Sequence, residues 1–273
     1  MSVKSSGAKS CIKRWARRLV AETSHLAGAA AGGGLTKGLR ILTYHRIARD
    51  PRDPFALATP DFIRQMEILS GTGAVQRLDH ALREMASGDG SQGRITVTFD
   101  DGTHDFITDA LPVMVRLQLP ATLYVSPARI GTVGFLQWDE VLEISRAGVT
   151  IGSHGLDHRS LGSLDAAELW RQVSDSRKQL EDRLGLSVES LAYPYGTMRD
   201  FNENVKVQVR KAGYRAACSS INGVNTTPTD LYALHRTKIE QGDDPIFRKI
   251  LAGGLDGWEV VDRHLSFLQN RYA

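Results

Sequence analysis

Two stretches of the chain place polar side chains close enough in sequence to act together. Thr96-Val97-Thr98-Phe99 is a β-type run that ends at Asp100-Asp101-Gly102. Successive side chains of a strand alternate in direction, so adjacent carboxylates at its end point apart and can hold different roles. One can bind a cation while the other takes a proton. Gly102 lets the chain turn sharply after them, although an Asp-Gly pair alone is also ordinary punctuation between elements. Ser153-His154-Gly155-Leu156-Asp157-His158 follows the run Val149–Gly152. Imidazoles four residues apart share a helix face, or meet in a loop if Gly155 bends the chain. Two neutral imidazoles and one carboxylate form an open zinc-type set with a position left for water. The chain has eight His, so chance pairing at this spacing is not rare. The pair gains its force from Asp100-Asp101.

A third stretch, Leu191-Ala192-Tyr193-Pro194-Tyr195-Gly196, is a strand that stops at a proline turn. Pro194 cannot donate to a ladder, which leaves the Tyr195 backbone N–H to point into a cleft and stabilise an oxyanion. An ordinary aromatic loop is the simpler alternative for these residues.

The elements that must position these groups alternate between β-type and helical patterns. Strands are expected at Leu39–Tyr44, Ile95–Phe99, Ala121–Val125, Val149–Gly152, Leu191–Tyr193, Tyr214–Cys218 and Leu231–Leu234. Asp165 with Glu168 is a capping-box pattern for a helix running to about Leu184 and closed by Gly185. Asp200 with Glu203 could open another helix, and Thr59-Pro60 supplies a capping hydroxyl before a first-turn proline. Strand–helix alternation predicts the α/β class. The chemical residues His45, Asp100, Asp101, His154 and Tyr195 all follow strand ends, which favours a parallel barrel with one mouth over an open sheet.

The 273 residues, 41% hydrophobic and 24% charged, suit a folded chain with a sizeable core. A formal charge of +3 excludes a basic surface over the whole molecule, so no nucleic-acid partner is expected. Two cysteines, Cys11 and Cys218, exclude a thiolate zinc finger and a disulfide scaffold. Lys4, Lys9, Lys13, Arg14, Arg17 and Arg18 precede the first acid, Glu22. Glu22, Thr23, Ser24 and His25 interrupt any apolar core for export, and the expected location is the cytoplasm, at the inner membrane face if at a membrane. Ile12, Trp15, Leu19 and Leu26 form an apolar stripe at near-helical spacing. That stripe is expected to pack on the domain's own flank. Peripheral membrane contact through residues 12–26 is the alternative. Gly28 to Gly38 reads as a joint, which divides the chain into residues 1–38 and a catalytic unit 39–273.

The Thr-Phe-Asp-Asp-Gly, Ser-His-(x)3-His and Ala-Tyr-Pro-Tyr-Gly stretches, in this order, resemble the polysaccharide deacetylases of the NodB-homology class, carbohydrate esterase family four. The resemblance spans about residues 39 to 240. It implies a distorted, incompletely closed (β/α) barrel with a divalent metal, zinc in this family, at its mouth. It further implies Asp101, His154 and His158 as metal ligands, Asp100 as catalytic base and the Tyr195 N–H as an oxyanion donor. The chain departs from the family at Ala192, where members carry an arginine that pairs with the base. It has no match to the family's aspartate-tryptophan motif. Thr43-Tyr44-His45-Arg46 and Leu234-His235-Arg236 look like a bacterial subgroup associated with exopolysaccharide genes. Arg236 can replace the missing arginine because its charge is permanent, and His45 and His235 are the two candidate proton donors.

The resemblance implies removal of acetyl groups from N-acetylated amino sugars of a polysaccharide or a lipid-linked precursor. Removal of a formyl group or an O-acetyl ester on the same scaffold, or sugar binding without catalysis, are the alternatives. The intact Asp-Asp-His-His set argues against the last.

Overall fold

Short buried apolar runs, several rich in β-branched and aromatic residues, make short parallel strands. The computed structural model describes residues 13, 15–23, 35–48, 56–87 and 93–264. In chain order the elements are α1 (residues 15–23), β1 (Gly38–Tyr44), β2 (Arg46–Ala48), β3 (Ala56–Ala58), α2 (Thr59–Ser70), α3 (Leu78–Ala86) and β4 (Gly93–Phe99). There follow α4 (Leu111–Arg116), β5 (Ala121–Val125), α5 (Trp138–Arg146), β6 (Thr150–Ser153), α6 (Ala166–Leu184) and β7 (Ser190–Ala192). The chain ends with α7 (Glu203–Lys211), β8 (Ala216–Cys218), β9 (Thr237–Lys238), α8 (Phe247–Leu251) and α9 (Glu259–His264).

Seven parallel strands form one sheet in the order β8-β7-β6-β5-β4-β1-β9. From β1 to β8 the order winds in one direction and never reverses, so there is no switch point of the open, doubly wound kind. The last strand returns to the far side of the first, as in a barrel whose final seam is left incomplete. Alternation along β1 separates two apolar layers. Leu42 and Tyr44 belong to the larger core with Phe62, Val97, Phe99 and Phe106. Leu39 and Ile41 belong to a smaller one with Tyr124, Ala192, Cys218 and Leu234.

Several boundaries differ from the sequence expectation. Leu231–Leu234 is not a strand. It is a turn segment joined to β8 by one bridge at Cys218 and by bonds such as Ala217 N–H to Leu231 O at 2.7 Å. It fills the seam irregularly, and the regular strand comes later, at β9. Asp165 caps α6 by accepting from the Ala167 and Glu168 amides, and Gly185 closes it in the left-handed conformation. Glu168 leaves the capping box half formed, because its carboxylate is taken by Arg159 and Arg171. Asn202, not Asp200, caps α7; Asp200 instead accepts from Ser160 and from the Thr197 amide. Thr59 is the first residue of α2, whose N-cap is Ala58, so its hydroxyl caps nothing.

The N-terminal helix also turns the other way. Trp15 and Leu19 of the expected stripe are 66% and 48% exposed, whereas Arg17 and Ala21 are buried. Ile12, Arg14, Leu26 and most of the Gly28–Gly38 joint lie outside the described residues. Ion pairing decides the orientation. Arg17 forks Asp243 with bonds of 3.1 and 2.6 Å, Lys13 reaches Glu240 at 2.6 Å, and Glu22 pairs with Lys249. An apolar stripe is outcompeted because the surface it meets is acidic.

Burial works against the Glu240 carboxylate, yet Arg17 and Lys13 hold its pKa down at about 2. A folded pKa below the unfolded value gives stability that is full above the unfolded pKa and is lost as pH falls toward the folded one. Glu240→Gln should therefore lower the melting temperature at pH 7 and much less at pH 3. Equal losses at both pH values in thermal unfolding would refute this role.

Candidate active site

The site residues stand in the loops just beyond the strands, where the ladder runs one residue past several strand ends. The Asp100 amide donates to Tyr44 O at 3.0 Å, His154 N–H to Val125 O at 2.9 Å and Tyr193 N–H to Cys218 O at 3.0 Å. These bonds bring the segments after β1, β4, β6 and β7 to one mouth.

Tight turns then aim the side chains. Among the described residues four non-glycines have positive φ, and three of them are Asp101 (72°), His158 (65°) and Tyr195 (62°). Asp101 and Tyr195 each sit at the centre of a three-residue turn. Gly102 N–H donates to Asp100 O at 3.0 Å, and Gly196 N–H to Pro194 O at 2.7 Å. The left-handed form of this turn is strained and rare. Such strain persists where the surrounding packing fixes it, typically at functional sites. Here both following glycines also have positive φ, and a Cβ on Gly196 would lie 2.6 Å from the Ser220 amide nitrogen.

Asp100 lies at the bottom of the site, 2% exposed, with Arg236 fully buried against it. The guanidinium donates to both carboxylate oxygens at 2.7 Å each. Its Nε donates to Ser219 O at 2.7 Å, which fixes the fork. Burial alone would raise the Asp100 pKa, but Arg236, with His154 and His45 beyond it, holds the carboxyl below its ordinary range. The arginine absent at position 192 is thus supplied from the opposite side of the sheet.

Asp101, His154 and His158 converge above this pair, their ligand atoms all within 4.8 Å of one another. His158 Nε2 is 3.1 Å and His154 Nε2 3.6 Å from the same oxygen, Asp101 Oδ1. His154 Nδ1 donates to Ala192 O at 2.8 Å, so its other nitrogen presents a lone pair to Asp101. Burial pushes the His154 imidazole down to about 4, so it is neutral near pH 7. Asp101 Oδ1 is buried and has no hydrogen-bond partner of sound geometry. The His154 lone pair, a second imidazole and a carboxylate oxygen converging on one point are a donor set that fits a divalent cation. Helix α6 sets the loop between the histidines. Gln172 Oε1 accepts from the Leu156 amide at 3.0 Å, and Ser176 Oγ donates to Gly155 O at 2.9 Å.

The remaining candidates divide. His45 is brought in: burial lowers its pKa against the pull of Asp100 and Asp101. The Tyr195 ring meets His158 edge-on, with centroids 4.9 Å apart. His235 is not part of the site. Its Nε2 lies 3.3 Å from Arg263 Nη2 on α9, and Glu259, Asp256 and Asp262 are the acids that surround it. Neighbours on an extended segment face opposite ways. With Arg236 turned to Asp100, His235 must face outward. Sequence reasoning missed the Ala192 carbonyl, for which no side-chain signal exists. It also missed Lys238, which alternation puts on the same side as Arg236 and whose charge acts on His45.

Residues 87–217 match the family described as polysaccharide deacetylase. Over this stretch, just under half of the chain, the sequence is similar to polysaccharide deacetylases. Over 206 residues it is 27% identical to YxkH of Bacillus subtilis (strain 168), a provisional polysaccharide deacetylase, covering 75% of this chain and 72% of that one. It is 24% identical over 159 residues to a poly-β-1,6-N-acetyl-D-glucosamine N-deacetylase of Staphylococcus aureus (strain MRSA252). That match covers 53% of this chain and 54% of the relative, so the chain spans about half of that protein's length. The fold superposes on the Streptococcus pyogenes deacetylase PplD with a TM-score of 0.70 at 19% identity, covering 77% of this chain and 98% of that one. The deacetylase fold is thus the incompletely closed barrel expected from the motifs.

Removing one partner of the buried Asp100–Arg236 pair leaves a bare charge. Arg236→Gln should cost about 3–5 kcal/mol of stability, and adding Asp100→Asn should restore part of it. Denaturant titrations in which the two losses simply add would show that the pair is not coupled.

Proposed function

We propose that the protein is a metal-dependent hydrolase that removes acetyl groups from N-acetylated amino sugars of a polysaccharide. The observation that carries this reading is a buried carboxylate kept ionised by Arg236 directly beneath a three-ligand cluster. Asp101, His154 and His158 would hold the divalent cation, zinc in this proposal. When bound, it would polarise the acetyl carbonyl and lower the pKa of a water molecule.

The chain's own groups would do the rest. Asp100 takes the proton of the attacking water. The Tyr195 N–H donates a hydrogen bond to the oxyanion as it develops. His45, which feels the charges of Asp100 and Asp101, would pass a proton to the leaving nitrogen. The staphylococcal relative, named for a poly-N-acetylglucosamine substrate, supports an amino-sugar polymer as the partner.

Contact with an anionic bilayer, where lipid-linked sugars are found, belongs to the same proposal. It is supported by outward-facing Trp15 and Leu19 beside exposed Arg18 and by the further cations Lys4, Lys9 and Arg14 before the first acid. Trp and basic residues together are what such a surface attracts.

Incubation with poly-β-1,6-N-acetylglucosamine and with N-acetylglucosamine oligomers should release acetate and free amine in equal amounts. No release from these polymers, with acetate from an O-acetylated analogue or formate from an N-formylated one, would move the reaction to those groups. His158→Ala should lose most of the bound metal, and full occupancy in elemental analysis would refute the ligand assignment. Asp100→Asn should keep the metal while turnover falls by about two to four orders of magnitude. The full-length protein should sediment with anionic vesicles and release with added salt. No binding at low salt would remove the membrane part of the proposal.

A further inference from the structure

We infer that Arg17, on the N-terminal helix, is a positioning residue of the active site: by gripping the free edge of β9 it holds Arg236 in register to fork Asp100. The inference rests on the proposed function only for its kinetic arm.

The argument starts from the length of β9. Two residues, Thr237 and Lys238, pair with Leu42 and Thr43 of β1. So short a strand has little stability of its own, yet Arg236 immediately precedes it. In this parallel pairing the Ile239 amide donates to Thr43 O at 2.9 Å. The N–H and C=O of Lys238 therefore point away from β1, toward the seam where the barrel fails to close. An edge carbonyl at that place needs a partner.

Arg17 supplies it. Its Nη2 donates to Lys238 O at 2.9 Å, while Nε and Nη2 fork Asp243. Asp243 Oδ2 in turn accepts from the Glu240 amide at 2.9 Å, which closes the chain segment after β9 around the guanidinium. The Arg17 side chain is 1% exposed and lies 5.8 Å from the centre of the Trp258 ring. A planar donor fork can serve a carboxylate and a carbonyl together; an ammonium cannot reproduce that geometry.

On its other sides β9 is held by two more buried arginines. Arg40 Nη1 donates to Thr237 Oγ1 at 3.1 Å and to Asp256 at 2.8 Å. Arg236 holds Asp100 and Ser219 O. Arg236 is thus anchored through its own side chain, Thr237 by Arg40 and Lys238 by Arg17. Arg17 is the one whose loss leaves a backbone group of the strand without a partner. The helix that carries it lies outside the matched residues 87–217.

The test uses the full chain with Arg17→Lys, Arg17→Gln and Asp243→Asn, all measured below their unfolding temperatures. Arg17→Lys keeps the charge for Asp243 but not the fork, and is the variant expected to fold if Arg17→Gln does not. Amide hydrogen exchange over residues 234–240 should rise by about tenfold in Arg17→Lys, with exchange in β5 and β6 unchanged. On the acetylated substrate kcat should fall by about tenfold or more, because a small misplacement of a reacting group is costly. KM should stay within about twofold, since Arg17 does not touch substrate. Wild-type exchange over 234–240 together with wild-type kcat in Arg17→Lys would overturn the inference, even if the variant melts earlier. A wild-type protein with no deacetylase activity would instead refute the proposed function and leave the exchange result to decide this one.

Discussion

Taking a carboxylate out of water beside a prospective cation site is costly unless a second charge accompanies it. The Asp100–Arg236 fork meets that requirement and constrains much of the surrounding architecture. Asp100 must sit at the end of β4, where the ladder to Tyr44 fixes its backbone. Arg236 must reach it from the residue just before a strand that pairs with β1, so β9 has to return to the side of β1 opposite β4. The seam between β8 and β9 is then spanned by irregular chain. Ion pairs from α1 and β1 fasten the segments that follow β9, at Glu240, Asp243 and Asp256. The incompleteness of the barrel and the burial of three arginines are two sides of one arrangement.

The strained turns belong to the same logic. A side chain at the end of a strand ordinarily continues its alternation, outward or inward. Positive φ at Asp101, His158 and Tyr195 departs from that rule and lets neighbouring residues face a common point. Asp100 stays below with Arg236 while Asp101, 22% exposed at its side chain, faces the mouth. Packing around the turns holds them. Val125 crowds the Cα of Gly102 and the Ser220 amide crowds that of Gly196.

The metal-type cluster and the acid pair were legible in the sequence because each consists of residues close together in the chain. Strand-end position and ligand type were enough to single them out. The fold class followed from alternation, and the barrel from the gathering of polar residues at strand ends. What could not be read is of three kinds. The Ala192 carbonyl has no side-chain signature. The backbone signs of Asp101 and His158 depend on packing far away in sequence. The face of α1 depended on acids at 240 and 243, more than two hundred residues downstream. An apolar stripe with one aromatic gave no sign that a cation would be the buried contact. His235 differs from these. Adjacency to Arg236 on an extended segment already forbade it from sharing the same wall, and the alternation rule would have removed it.

Ala192 carries a consequence of its own. A single arginine at this position could both orient His154 through its carbonyl and pair with Asp100 through its side chain. Here the carbonyl of Ala192 keeps the first duty, and Arg236 performs the second from another segment. Duties carried by separate stretches of chain are free to drift independently. A lineage could retune the electrostatics of Asp100 without disturbing the scaffold of Asp101, His154 and His158, and the reverse. The split therefore widens the set of sequences that can support the same chemistry, and it lets an alanine stand where a motif search would score a loss.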